Sequence, residues 1–494
     1  MNALLLTLLP SAGGMLLLAA IARYRWAAPL NLGLSILGFT GSLWLAHEVL
    51  TRGLVQAPGL RVDVLNAPLL VLTAFVGMTT AFFSLRYMAQ VVRAHRIGRS
   101  SRRLYHSLYQ AFLFTMLLAL ATDNLGILWV AVEGATLATV LLVSLYRTPE
   151  SVEAAWKYFI LCGVGIAQAL FGTVLIYFAA QQAIPDPAQG LTWSVLHQYA
   201  PRLHPTVMSI AFVFALVGYG TKVGLVPLHH WLPDAHSEGP APISALLSGL
   251  LLNVALYAVL RLKVLADAPL LAAGHPRLTG YLLMGFGLVS FLVAALFLQR
   301  QQDIKRLFAY SSIEHMGLAT FAFGLGGGLA TFAGLFHMLV HSLTKSSLFI
   351  TVGHATQVAG SQRLQHIRGL LQTQPALGWG LLLGAVAIAG FPPFGLFTSE
   401  FLLISATLDR WPFLSLLLLS GLAMAFAGIF RQLHPVVFGE PPAAQRPVRA
   451  SLLPVAMHLS LVLWLGLSVP PVLAGWLDQA THLLAGVDAF GGLQ

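Results

Sequence analysis

The sequence predicts an all-α, polytopic membrane protein, and three observations carry that prediction. Hydrophobic residues make up 57% of the 494 residues and charged residues only 9%, with a mean hydropathy of +0.80. That leaves too little polar surface to cover a water-facing globule. Apolar runs long enough to cross about 30 Å of hydrocarbon at about 1.5 Å per residue recur about fourteen times. The few ionisable residues inside those runs lie near prolines or share a helix face, and hydrocarbon makes them too costly to retain without a use.

Taken in order, the runs lie near 2–22, 28–50, 64–86, 106–122, 124–145, 156–180, 206–231, 242–265, 278–298, 306–325, 328–354, 377–408, 412–434 and 450–475. Arg23 and Arg25 follow the first run instead of preceding it, so 2–22 reads as a retained span and not as a cleaved signal peptide. The formal charge of +10 comes from arginines and lysines spread between the runs, a topology signal and not a nucleic-acid footprint. They concentrate in alternate loops: Arg23 and Arg25, the stretch RYMAQVVRAHRIGRSSRR (86–103), Arg147, then Arg300, Lys305 and Arg306, then Arg363 and Arg368, and last Arg431, Arg446 and Arg449. The bias puts those loops in the cytoplasm and both termini on the outer side, with Arg261 among the fewer outer-loop charges. The stretch 86–103 is the main anchor; its alternative is a docking patch for an acidic partner or lipid headgroups. GLGGGLA (324–330) lacks the Lys-Ser/Thr of a phosphate loop and reads as a turn. Cys162, the single cysteine, excludes an intramolecular disulfide and a Cys-based cluster and reads as a small buried hydrophobe.

Two runs contain prolines, and both have an ionisable group beside the interruption. Lys222 precedes Pro227, and Glu400 follows Pro392 and Pro393. Paired broken segments in the two halves point to an inverted-repeat transporter with its pathway near the membrane midplane. Glu133, with no charge for nine residues on either side, is either a proton-exchanging carboxylate or a neutral acid bonded to a neighbouring helix. Lys222 is its expected partner, as a proton carrier or as a fixed countercharge.

The run 328–354 carries His337, His341 and Lys345 at i, i+4 and i+8, stacked on one face. Such a stripe suits a proton relay, because imidazole both accepts and donates. A metal is the rival reading for His337 and His341, but no third ligand is evident and no metal is assigned. His315 bridges the second half, with Glu314 expected on a different, outward face. His229, His230, Asp234 and His236 fall in a polar cytoplasmic turn after the first break, either feeding protons in or bonding loop backbone. Lys157 either snorkels to the interface or tunes Glu133.

The motifs WVAVEG, TKVGLVPLHHWLPDAHSEGPAPISALLSG, QQDIKRLFAYSSIEHMG, FHMLVHSLTKSSLF and GFPPFGLFTSEF resemble the antiporter-like subunits of respiratory complex I and the Mrp-type cation/proton antiporters. The resemblance covers roughly 60–440. Within that superfamily, VEGATLATVLLVSLYRTPESVEAAWKY and HSLTKSSLFITVGHATQ are most similar to hydrogenase-4 component F. It implies fourteen helices with two inverted five-helix repeats, each holding a broken helix: N-terminal helices in 1–105, repeats at 106–265 and 278–434, and a C-terminal helix in 435–494. It also implies that Glu133, Lys222, His315, His341, Lys345 and Glu400 translocate protons. Asn253 stands where several relatives have a central lysine; it can hold a water but cannot carry the charge, which leaves a gap in the relay.

The resemblance further implies a proton-translocating, or cation/proton antiporting, subunit of a redox-driven complex in a bacterial inner membrane. This chain shows no cofactor site, so nickel–iron and iron–sulfur centres would belong to partner subunits of a peripheral redox arm. Two other readings stand beside it. One is a proton channel energising a complex for inorganic carbon uptake, and the other is a non-pumping membrane anchor.

Overall fold

In the computed structural model, which describes residues 1–20, 24–441 and 450–489, almost every element is a helix. Arg23, Arg446 and Arg449 of the topology reading lie outside these residues. Helices α1 (Asn2–Ala20) and α2 (Tyr24–Arg52) pack on one another. A small hairpin, β1 (Val55–Ala57) and β2 (Leu60–Val62), then leads into α3 (Ala67–Arg93) and α4 (Arg99–Ala121). The next two helices begin at side-chain caps. Asn124 accepts from the amides of Gly126 and Ile127 to start α5 (Leu125–Val143), and Thr148 accepts from Ser151 to start α6 (Pro149–Ala183). A short α7 (Trp193–Tyr199) follows.

The first predicted break is present. Helix α8 (Pro205–Val223) stops at Gly224, whose φ of +84° is the left-handed conformation that glycine favours at a helix end. A cis Val226–Pro227 bond follows. The released backbone groups find side-chain partners, as a non-aqueous setting requires. Trp231 Nε1 donates to the Thr221 carbonyl at 2.8 Å, and the Val226 amide donates to Ser290 Oγ at 2.9 Å. The segment after the break departs from the sequence reading: 231–238 is not a turn but a helix, α9 (Trp231–Glu238), and it folds back into the protein.

Next, α10 (Ala241–Leu246), a π turn at 247–251 and α11 (Leu252–Ala272) form one continuous 32-residue helix that is buried from Ala241 to Leu262 and emerges at its C-terminal end, where Leu271 is exposed. Helix α12 (Leu278–Phe297) is followed by α13 (Ile304–Leu325), capped by Asp303, and α14 (Gly328–Ala359). Beyond a short α15 (Leu370–Thr373), α16 (Pro375–Ile388) and α17 (Gly395–Arg410) flank the second break, where a cis Pro392–Pro393 bond lies. Helices α18 (Pro412–Phe438), α19 (Leu453–Leu467) and α20 (Pro471–Ala485) complete the described chain.

Among the described residues ten helices are long and apolar enough to cross a membrane, or eleven if α19 and α20, bent by 79°, are one span. The core sits in the long α10–α11 helix, α13 and α14. Outer helices such as α6 turn Trp156, Phe159, Val164 and Phe178 outward, as a lipid-facing surface does.

One contact corrects the charge reading. Arg261 is not a loop charge: it is buried on α11, donating to Asp63 Oδ1 at 2.7 Å and to Tyr257 Oη at 2.9 Å. Burial pushes the Asp63 carboxyl up, but the Arg261 guanidinium, helped by Arg61, outweighs it and holds the group at about 2. Breaking a buried pair strands a charge, so Arg261→Ala is expected to cost about 3–5 kcal/mol, read as a lower unfolding temperature in detergent. The folded carboxyl titrates below its ordinary value of 3.8. The pair's stabilisation is therefore expected to be complete above about pH 4 and to fade as pH falls toward 2. Arg261→Ala should flatten that dependence.

Candidate functional site

Two clusters of buried ionisable groups stand beside the two breaks, apart from others such as the Arg261–Asp63 pair and Lys305. At the first, Lys222 on the last turn of α8 is fully enclosed, with Nζ 3.9 Å from Glu133 Oε2 on α5. That is longer than a hydrogen bond. The ammonium donates instead to Thr136 Oγ1, one turn along α5 from Glu133, and the buried Cys162 thiol of α6 lies beside it. The Tyr158 ring centroid lies 5.5 Å from Nζ, within cation–π reach. Tyr158 is held by Thr139 at 2.7 Å and by stacking on Trp231 at 4.6 Å. The Glu133 side chain keeps one-fifth of its surface exposed on the outer face of the chain.

Close helix packing makes this enclosure possible. A Cβ on Gly218 of α8 would stand 2.6 Å from the Gly165 carbonyl oxygen of α6, so only glycine lets the two backbones approach this far. Gly165 in turn leaves room for Thr221, next to Lys222.

The residues after the break divide. His230 is exposed, with its ring centroid 4.4 Å from the buried His229. Asp234 pairs with Arg306 of α13 and with Lys157 of α6 at 3.3 Å. Lys157 is half-exposed and bound to Glu153 and Asp234, so it does not reach Glu133. His236 is not at a cytoplasmic surface. It is fully buried and stacked on Phe349 of α14 at 4.7 Å, because α9 turns inward. Lys305 is likewise no loop charge: it is buried, donating to the Ser237 and Gly239 carbonyls at 3.2 and 2.7 Å.

At the second break the predicted stripe assembles. His337 and His341 lie parallel on α14, with centroids 6.1 Å apart, and Lys345 donates to the Phe308 carbonyl at 2.9 Å. His315 Nδ1 stands 3.2 Å from His337 Nε2 and 3.8 Å from Glu400 Oε1, while His337 Nδ1 meets Ser399 Oγ at 2.9 Å. Glu314 overturns its outward assignment: it is buried, 3.9 Å from His315 Nε2. The reason is that α13 has no outward face, since all its residues except Arg306 are buried.

The α10–α11 helix separates the clusters, packing against α8 on one side and α14 on the other. Asn253 lies on it, donating to the Met338 carbonyl at 2.9 Å, with Oδ1 meeting no protein partner among the described residues. Ser248 and Ser312 are linked at 2.8 Å beside the π turn, an irregularity often found at functional sites. Thr136, Tyr158 and Ser399 were absent from the sequence reading, and Cys162 and Glu314 had no place at a site in it. Only Thr136 had a local signal, one turn from Glu133 on the same face.

Residues 122–426 match the transmembrane family described as NADH:quinone oxidoreductase/Mrp antiporter. A hydrogenase-4 component F homolog of Methylacidiphilum infernorum (isolate V4) is 50% identical over 473 residues, covering 95% of this chain and 97% of the relative. A chain of the membrane-bound sulfane sulfur reductase, an archaeal respiratory membrane complex, shares the fold with a TM-score of 0.86 at 23% identity, over 98% of both chains. A chain of the Mrp complex from Dietzia sp. DQ12-45-1b gives 0.82 at 20% identity, again over 98% of both.

The enclosure of Cys162 beside Lys222 yields a direct check. A membrane-permeant maleimide is expected to label the native chain at less than about a tenth of the rate seen after unfolding, since buried thiols are inert. Gly218→Val, which forces α6 and α8 apart, is expected to raise native labelling, read by mass spectrometry.

Proposed function

The chain belongs to the NADH:quinone oxidoreductase/Mrp antiporter family, and on that premise we propose that it is a proton-translocating subunit in the membrane arm of a redox-driven complex of the hydrogenase-4 or formate hydrogenlyase kind. One observation carries the reading: each half has a broken helix, and each break presents buried ionisable groups, Lys222 with Glu133 in one and Glu400 with His315 and His337 in the other. An isolated buried charge is costly, whereas a row of exchangeable groups near a midplane break is what transport requires.

In this reading Glu133 and Lys222 are the drive and His315, His337, His341 and Lys345 the relay. Glu400 is the exit, and His229, His230, Asp234 and His236 border the entry. At 3.9 Å, in an effective dielectric of about 20, the first pair attracts by at most about 4 kcal/mol; the partial exposure of Glu133 reduces that. Neutralising Glu133 would release this restraint on Lys222 and push the next proton on. Asn253 would carry the path through a bridging water. The 50% identical relative and the family match support the assignment to a complex. The redox arm, with its nickel–iron and iron–sulfur centres, belongs to the proposal alone.

The same proposal extends to the full topology. The eleven apolar spans, with the more polar α13 and α14 and the broken α16–α17, make fourteen crossings. They are arranged as N-terminal helices in 1–105, inverted repeats at 106–265 and 278–434, and a C-terminal span in 435–494. Both termini would lie on the outer side of a bacterial inner membrane. In vesicles containing the whole complex, Lys222→Ala and Glu133→Gln are each expected to cut proton transport by about 100-fold, the scale of a lost proton-transfer group. Redox turnover with the gradient collapsed should persist. Normal proton transport by both variants would leave only the membrane-anchor reading.

A further inference from the structure

His315, His337 and Glu400 do more than line up. His315 Nδ1, His337 Nε2 and a Glu400 carboxylate oxygen all lie within 4.8 Å of one another, brought together from α13, α14 and α17. Two of the separations are 3.2 and 3.8 Å. Zinc–ligand bonds of about 2.0–2.2 Å at tetrahedral angles put neighbouring ligand atoms about 3.3 Å apart, so small side-chain shifts would seat an ion. We propose that this triad is a binding site for a divalent transition-metal ion of the zinc class, with the fourth position left to water.

Four features support it. First, the donor set is selective: two imidazoles favour a borderline ion such as Zn²⁺ over hard Na⁺ or Mg²⁺, which prefer all-oxygen sites. Second, both imidazoles have a group placed to orient them. His337 offers Nδ1 to Ser399 Oγ at 2.9 Å, and His315 turns Nε2 toward Glu314 Oε2 at 3.9 Å. A carboxylate or hydroxyl behind a ligating histidine is the usual arrangement in such sites. Third, His315 Nε2, Glu314 Oε2 and Glu400 Oε1 are buried and meet no protein hydrogen-bond partner among the described residues. A bound dication would give the Glu400 oxygen a ligand bond and draw the Glu314 carboxylate onto its histidine, with two carboxylates balancing two positive charges. The Ile388 carbonyl also approaches the His315 ring and would compete for it. Fourth, the triad lies close to an exposed segment. The break loop Phe391–Pro393 is exposed, and Gly390 at φ +68° packs directly on the Glu400 carboxylate, in contact too close for any residue with a Cβ.

An ion held there occupies the lone pairs through which His315, His337 and Glu400 would pass protons, so it would act as a plug. The binding claim stands on the triad alone; the plugging claim rests on the function proposed above. The test uses the purified full-length chain, loaded with zinc chloride and then desalted. One zinc per chain is expected by elemental mass spectrometry, with X-ray absorption showing two histidine nitrogens at about 2.0 Å. Cobalt in its place should give the intense visible bands of a four-coordinate site, a readout that needs no variant. His337→Gln and Glu400→Gln should abolish retention, Ser399→Ala should weaken it about tenfold, and the exposed-surface variant His434→Ala should leave it unchanged. Excess Na⁺ should not compete. No retained zinc, zinc retained equally by both triad variants, or zinc lost in His434→Ala would each overturn the site. Zinc that binds at the triad yet leaves proton transport in vesicles unaltered would refute the plug and count against the relay, while the metal site would stand.

Discussion

A cation removed from water has to find its solvation inside the protein, and the structure solves that problem the same way several times. Lys222 has Thr136, Cys162, the face of Tyr158 and, farther off, Glu133. Lys345 has the Phe308 carbonyl, Lys305 the carbonyls at the end of α9, and Arg261 has Asp63 and Tyr257. Backbone carbonyls and nearby side-chain hydroxyls thus do the work of water. The same demand explains the packing: Gly165 and Gly218 bring α6 and α8 close enough to seal Lys222 from lipid.

Much of the fold was legible because the bilayer imposes a length scale and proline removes a donor, and both leave marks in the sequence. The two breaks and the stripe of His337, His341 and Lys345 came from local spacing, and the pairing of Glu133 with Lys222 from their being complementary charges isolated in apolar runs. The errors share one cause. Glu314, His236, Arg261 and Lys305 were assigned to outward faces or loops because a charge was presumed to seek water. Yet α13 is buried except at Arg306, and the α10–α11 helix is buried along most of its length. Local sequence cannot tell a surface helix from a central one when both are apolar. Ser399 and the place of Cys162 beside Lys222 were missed for a related reason, since what matters about each is a partner at least sixty residues away.

The long α10–α11 helix, buried along most of its length, is the wall between the two clusters, but it is not their only connection. The short helix α9, which continues from the first break, is fastened to α13 at both ends. Arg306 pairs with Asp234 near its start, and Lys305 caps the Ser237 and Gly239 carbonyls at its finish, where a cation favours a helix C-terminus. Helix α13 carries Glu314 and His315. A displacement of α9 that left α13 in place would therefore break an ion pair and strand a buried ammonium, whereas moving the two together breaks neither.

The two clusters solve proton exchange by different chemistry. In the second, His315 is the centre, with Glu314 toward one ring nitrogen and His337 and Glu400 toward the other. An imidazole that accepts on one side and donates on the other passes a proton without keeping a charge. The first cluster has no such ring. Its lysine stands 3.9 Å from Glu133, beyond a hydrogen bond, and donates instead to Thr136 on the same face of the same helix. The ammonium therefore has a hydroxyl to hold when the carboxylate is neutral and a carboxylate within one rotamer step when it is not. Neither state orphans the charge, which is the condition for a buried lysine to switch partners instead of being locked to one.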